Sequence, residues 1–238
     1  MAHFPFRIVG FDLDGTLLDT RQDLGAAVNH ALALVGRRPV PLANVDRLIG
    51  GGPKKMLERA LIVTGGLPED GFEDLYRDLL AFYEANIAVH SRLFAGGATM
   101  LDDLAARGVR IAVVTNKLES LTRKLLGALD LLPRFATVIG GDTLGPGRAK
   151  PARDPIDAMI ERLGGGPAAF VGDTTYDIRA ARAAGVPCVA VSFGFHDRPP
   201  AELGADAVIG HFDELVPTLL RLPHDSSVAI PEKQPSNL

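Results

Sequence analysis

Four short segments carry residue types suited to moving a phosphoryl group: Asp12-Leu13-Asp14-Gly15-Thr16, Thr115-Asn116-Lys117, Lys150-Pro151 and Gly172-Asp173-Thr174-Thr175-Tyr176-Asp177. A carboxylate can attack phosphorus and form an aspartyl phosphate, which splits one hard displacement into two easier ones. A dianionic phosphate and several carboxylates repel one another, so such a site calls for a divalent cation. Mg²⁺ takes oxygen ligands at about 2.1 Å and keeps several waters beside one or two carboxylates. A lysine and a threonine can neutralise and hydrogen-bond the transferring oxygens.

The elements around these segments place them together. Short β-branched and aromatic runs at Arg7–Phe11, Val109–Val114, Thr137–Ile139, Ala168–Val171, Pro187–Val191 and Ala207–Ile209 are expected as strands. Helical patterns near Ala98–Arg107, Ser120–Ala128, Pro155–Arg162 and Tyr176–Ala184 separate several of them. That alternation predicts an α/β fold, a Rossmann-like parallel sheet buried on both faces. Ligands of such sheets sit beyond the carboxyl ends of the strands, where three of the four segments fall, with Lys150 delivered by a Gly/Pro-rich loop.

From Thr20 to His90 no convincing strand occurs, only helical periodicity at Asp23–Val35, Lys54–Val63 and Asp70–Ala88. So long a strand-free stretch departs from βα alternation and predicts a small all-helical unit set over the sheet. The expected division is 1–19 and 91–222 for the core, 20–90 for the helical unit, and a disordered, polar, Pro-rich tail at 223–238.

Composition narrows the function. The 25 Lys and Arg against 29 Asp and Glu give a net charge of −4, which argues against binding nucleic acid or an anionic membrane through a basic field. No apolar stretch reaches the roughly 18 residues of a membrane helix, and Asp12 and Asp14 interrupt the start of the chain where a leader's apolar segment would lie. A single cysteine, Cys188, cannot close a disulfide within the chain and fits a reducing cytoplasm. The expectation is a cytoplasmic enzyme whose partner is a small phosphorylated metabolite, its oligomeric state, monomer or dimer, left open.

The four segments, in this chain order, resemble the four signatures of the haloacid dehalogenase superfamily, and the resemblance spans about Arg7 to Leu220. The helical stretch after the first signature resembles that superfamily's cap. Within the superfamily the chain is most similar to the phosphoglycolate phosphatases, whose Gly-rich cap loop Leu48-Ile49-Gly50-Gly51-Gly52-Pro53 resembles. The resemblance implies Asp12 as nucleophile and Asp14 as acid for the leaving alcohol, then base for water. It implies Mg²⁺ held by Asp12, the backbone carbonyl of Asp14 and Asp173. Thr115, Asn116 and Lys150 would bind the phosphoryl oxygens, and Asp177 would support the metal or the lysine. One departure is visible: Arg153 stands in Lys150-Pro151-Ala152-Arg153-Asp154-Pro155 where relatives commonly carry proline.

Several residues admit more than one role. Asp177 has the composition of a helix N-terminal carboxylate as well as of a site residue. Thr115 can cap a helix, bind phosphate or do both. Gly51 and Gly52, at the start of a helix and followed by Lys54, would suit a small carboxylate, since a helix start presents free N–H groups and positive potential. Rival functions are a hexose-phosphate mutase on the same scaffold and, from another class, a receiver-like signalling domain with Asp142 as phosphoacceptor.

Overall fold

In this computed structural model the described residues are 4–223. The expectation of disorder for Pro223–Leu238 falls, apart from Pro223, outside that range. Six parallel strands form the sheet, in the order β5-β4-β1-β6-β7-β8. They are β1 Ile8–Phe11, β4 Arg110–Val114, β5 Thr137–Ile139, β6 Ala168–Gly172, β7 Cys188–Val191 and β8 Ala207–Ile209. Side chains alternate between two faces: Val9, Phe11, Ile111 and Val113 enter one apolar cluster, Ile8, Ala112 and Val114 the other. Both faces are covered, which is why these strands lack the polar alternation of a half-exposed sheet.

The chain runs outward from β1 through β4 to β5, then returns to the other flank of β1 for β6, β7 and β8. The order reverses at β1, so a crevice opens beyond the ends of β1, β4 and β6. Phe11 pairs with Val113 on one side and Val171 on the other, which sets Asp12, Thr115 and Asp173 at similar depth.

Helices α4 Gly97–Ala106, α5 Glu119–Ala128, α6 Asp154–Arg162, α7 Thr175–Ala183 and α8 Leu215–Leu219 complete this layer. Gly108 and Gly185 stop α4 and α7 in left-handed backbone, with φ of 74° and 71°. The segment without strands folds into α1 Arg21–Leu34, α2 Pro53–Thr64 and α3 Phe72–Ala85. Its apolar faces meet in Leu24, Ala27, Val28, Leu57, Leu61, Leu75 and Leu79, all buried. A ribbon of β2 Leu18–Asp19 antiparallel to β3 Arg92–Leu93, unforeseen in the sequence, joins the two ends of this segment. Buried Asp23 fastens the same junction, accepting hydrogen bonds from the N–H groups of His90 and Ser91 and the hydroxyl of Ser91.

Candidate active site

Asp12 and Asp14 emerge on a turn directly after β1. Gly15 allows that turn with φ of 84°, and a Cβ there would collide with the Asp173 carboxylate and sit 2.8 Å from the Phe195 ring. A side chain at this position would therefore be strained and would displace the site.

Lys150 crosses the floor of the crevice. Its ammonium donates to Asp12 Oδ1 at 2.7 Å, Asp177 Oδ1 at 2.6 Å and the Val114 carbonyl at 2.7 Å. Its side chain is only 2% exposed. Burial alone would depress this ammonium, but Asp12 and then Asp177 overcome it and hold the group above its usual range. Asp12 goes the other way. Burial, with repulsion from Asp177 and Asp14, pushes its carboxyl from 3.8 up to about 6 despite the pull of Lys150.

Asp173 is fully buried, accepting from Thr16 Oγ1 at 3.0 Å and from the Phe195 N–H at 2.7 Å. Burial and repulsion from Asp177 and Asp12 raise its carboxyl well above the ordinary range. Asp12, Asp173 and Asp177 each present a carboxylate oxygen, all within 4.8 Å of one another. Three buried carboxylates against one lysine leave an anionic excess, and hard oxygen donors of this kind fit Mg²⁺. The side chain of Asp14 lies outside this group, so only its backbone carbonyl is left to serve a metal there.

Asp177 performs both tasks that its position in the sequence allowed. Oδ2 accepts from the N–H and hydroxyl of Thr174 and closes a capping box at the start of α7, while Oδ1 binds Lys150. Thr115 is buried and lines the cavity, and its hydroxyl accepts the Lys117 N–H at 3.2 Å rather than capping α5. Asn116 also lines it, with Nδ2 on the Lys150 carbonyl at 2.9 Å and Oδ1 buried without a partner among the described residues. Arg153, the departure from relatives, turns outward to Asp157 and leaves Lys150 in place.

The cavity lies between these residues and the helical segment, whose Leu24, Ile49, Met56, Leu79 and Leu80 form an apolar wall. Gly50, Gly51 and Gly52 line it too, with φ of 98°, 77° and 96°. Arg59 shapes this loop by donating to the carbonyls of Leu48, Ile49 and Gly50 at 2.9–3.0 Å, and it reaches the Tyr176 hydroxyl at 3.3 Å. Lys54 does not join them. It pairs with Glu73 on α3 and lies 5.5 Å from the Phe72 ring and 5.9 Å from the Tyr76 ring, a correction to its expected place at the cavity. Helical geometry turns the residue after Pro53 toward α3, where a carboxylate and two aromatic faces compete for it. No role was expected from the sequence for Lys117, Thr16, Tyr176, Thr20, Arg59 or Tyr83, although the first three stand within the quoted segments. Asp142, the receiver-type candidate, is exposed and accepts the Glu119 N–H at the start of α5.

Residues 9–191 match the family model described as haloacid dehalogenase-like hydrolase. The chain belongs to this family. It is 40% identical over 212 residues to a phosphoglycolate phosphatase of Agrobacterium fabrum, covering 88% of this chain and 90% of that one. It is 41% identical over 207 residues to another of Caulobacter vibrioides, covering 86% of each. Among solved structures, a predicted phosphoglycolate phosphatase from Haemophilus somnus superposes with a TM-score of 0.84 at 31% identity, covering 90% of this chain and 98% of that one. The CbbY protein of Rhodobacter sphaeroides, solved in complex with phosphate, gives 0.74 at 25% identity, covering 88% and 96%. Among the described residues of this hydrolase no helix is long and apolar enough to cross a membrane.

Proposed function

We propose that this hydrolase is a phosphomonoesterase that converts phosphoglycolate to glycolate and phosphate with Mg²⁺ as cofactor, by way of an aspartyl phosphate. The observation that carries the chemistry is Asp12 at the end of β1. Lys150 fixes its Oδ1, while Oδ2 accepts no hydrogen bond from the described residues and is left for attack. Asp12 attacks phosphorus and the bond to the alcohol oxygen breaks as Asp14 delivers a proton to that oxygen. Asp14 then takes a proton from water, whose oxygen attacks phosphorus, freeing Asp12 and orthophosphate. Thr115, Asn116 and Lys150 would bind the phosphoryl oxygens throughout. Asp12, Asp173 and the Asp14 carbonyl would hold Mg²⁺, with Asp177 behind them, and the bound ion would offset repulsion between carboxylates and phosphate.

The substrate assignment draws on the curated relatives and on the glycine loop. The backbone N–H groups of Gly51 and Gly52 meet no acceptor among the described residues, at the start of α2 beside the cavity. They suit a small carboxylate, and closure of the helical segment over it would give selectivity that the phosphate-binding residues cannot. Buried Cys188 accords with a cytoplasmic setting. A panel of phosphomonoesters scored by phosphate release tests the assignment. Phosphoglycolate is expected to show the highest kcat/KM, with release lost in excess chelator. Release that is indifferent to chelator, or phosphoglycolate among the poorest substrates, would overturn it.

A further inference from the structure

Lys117 carries no part in the chemistry above, yet its ammonium is buried against Asp14. It donates to Asp14 Oδ2 at 2.8 Å and to Oδ1 at 3.0 Å, with side-chain exposures of 5% for the lysine and 13% for the aspartate. Oδ1 also accepts from the hydroxyl of fully buried Thr20 at 2.8 Å. Above this pair sits Tyr83 of α3, itself buried, with its ring centroid 4.6 Å from Lys117 Nζ.

We propose that Lys117, braced by the ring of Tyr83, is a positioning residue that fixes the carboxylate of Asp14 at the leaving-group side of the site. The inference rests on the reading of Asp14 as the group that protonates the leaving alcohol. An aspartate at the tip of a turn has several rotamers open to it, and only one aims at an oxygen leaving a phosphorus held by Asp12. Two donors on Oδ1 and one on Oδ2 restrict Asp14 to a single orientation. Thr20 follows β2 of the ribbon and Lys117 follows β4 of the sheet, so the carboxylate is held from two elements outside its own turn.

Tyr83 brings in the helical segment. An ammonium beneath an aromatic face is attracted by the ring quadrupole and shielded from water, which strengthens its pairing with Asp14. Burial opposes charge on Lys117, but Asp14 first and Tyr83 next hold the ammonium above its usual range. Burial also pushes the Tyr83 phenol up to about 12, against the pull of Lys117, so the ring stays neutral during turnover. Seating of α3 on the core thereby completes the setting of Asp14. Binding of the phosphoryl group, which involves neither Lys117 nor Tyr83, stays independent of it.

The test is kcat/KM over phosphomonoesters graded by leaving group, from nitrophenyl phosphate through phenyl phosphate to alkyl phosphates. It compares the parent with Lys117→Met, Lys117→Arg, Tyr83→Leu and Asp14→Asn, and measures inhibition by orthophosphate alongside. Misplacing a general acid forfeits part of the roughly 10²–10⁴-fold that such groups supply, and forfeits it where the leaving group needs a proton. Lys117→Met is expected to lose about 100-fold on alkyl phosphates and under about 10-fold on nitrophenyl phosphate, with orthophosphate inhibition unchanged. Lys117→Arg should recover part of the loss. Tyr83→Leu, which keeps the ion pair and so serves if Lys117→Met does not fold, should show the same slope with leaving group at smaller amplitude. Equal losses on every ester would assign Lys117 to structure alone and overturn the proposal. A rise in KM confined to substrates with an anionic leaving group, at unchanged kcat, would assign it to gripping substrate and overturn it as well. Should Asp14→Asn itself show no dependence on leaving group, the reading of Asp14 fails. Should Asp14→Asn show it while Lys117→Met and Tyr83→Leu do not, only this inference fails.

Discussion

Replacing Lys150 with methionine keeps most of the side chain's volume and removes one charge at the centre of the site. The ammonium satisfies Asp12, Asp177 and the Val114 carbonyl, at 2.6–2.7 Å, and solvent does not reach it. Without it, two carboxylates that already repel Asp173 lose their buried counter-charge. Breaking a buried pair in this way costs about 3–5 kcal/mol. At about 2–4 °C per kcal/mol for a chain of this length, the melting temperature should fall by about 6–20 °C. The assay is thermal unfolding by circular dichroism, with and without Mg²⁺, for the parent and Lys150→Met. The deficit should be largest in chelator at neutral pH. It should shrink as pH falls, because Asp12, already raised with Lys150 beside it and raised further without it, takes up a proton and the buried anionic excess declines. Turnover should drop by at least about 10²-fold at any pH, since under the proposed function the same charge would bind the phosphoryl oxygens. A melting temperature within about 2 °C of the parent in chelator would refute the reasoning, because it would mean that Lys150 balances no buried charge.

Mg²⁺ affinity should depend on pH with a definite sign. The folded value of about 6 for Asp12 lies above its ordinary 3.8, so stability from its bound proton is full below the ordinary value and is lost as pH rises through 6. The ion requires the deprotonated form, so calorimetric titration at about pH 5 should show binding about 10-fold weaker than at about pH 7.5, or about 1.4 kcal/mol, and weaker still if Asp173 also carries a proton. Equal affinity at the two pH values would contradict the raised carboxyls. In the glycine loop, Gly51→Val introduces a Cβ 2.9 Å from the Tyr176 hydroxyl and demands φ of 77° from a branched residue. It should lower kcat/KM for phosphoglycolate by about 10-fold or more, and less for nitrophenyl phosphate. Lys54→Ala should leave both substrates within about twofold, since that ammonium is turned to Glu73; a selective loss on phosphoglycolate would restore it to the cavity.

The site was legible in the sequence wherever a polar residue stands directly after a short β-branched run. Asp12, Thr115 and Asp173 follow β1, β4 and β6 in this way, and parallel register alone brings them level. Lys150 required chain order as well, since nothing local distinguishes it from a surface lysine. Asp177 admitted two readings because its two oxygens do two things. Lys117 was not legible: its partner Asp14 is 103 positions away, and Tyr83 comes from a helix whose apolar stripe is ordinary core. Thr16 was hidden for the same reason, its partner Asp173 lying 157 positions on. Lys54 misled because a lysine beside a helix start looks the same whichever way the helix turns it. Two-residue strands such as β2 and β3 carry no periodicity to detect.

Covalent chemistry at Asp12 is the claim on which the rest depends, and rapid acid quenching tests it most directly. The protein would be mixed with phosphorus-labelled phosphoglycolate and Mg²⁺, quenched within the first turnovers, digested and mapped by mass spectrometry. The label is expected on the peptide that holds Asp12, and to be absent from the same peptide of Asp12→Asn. Label on another residue, or phosphate released at the parent's rate by a folded Asp12→Asn, would contradict the account.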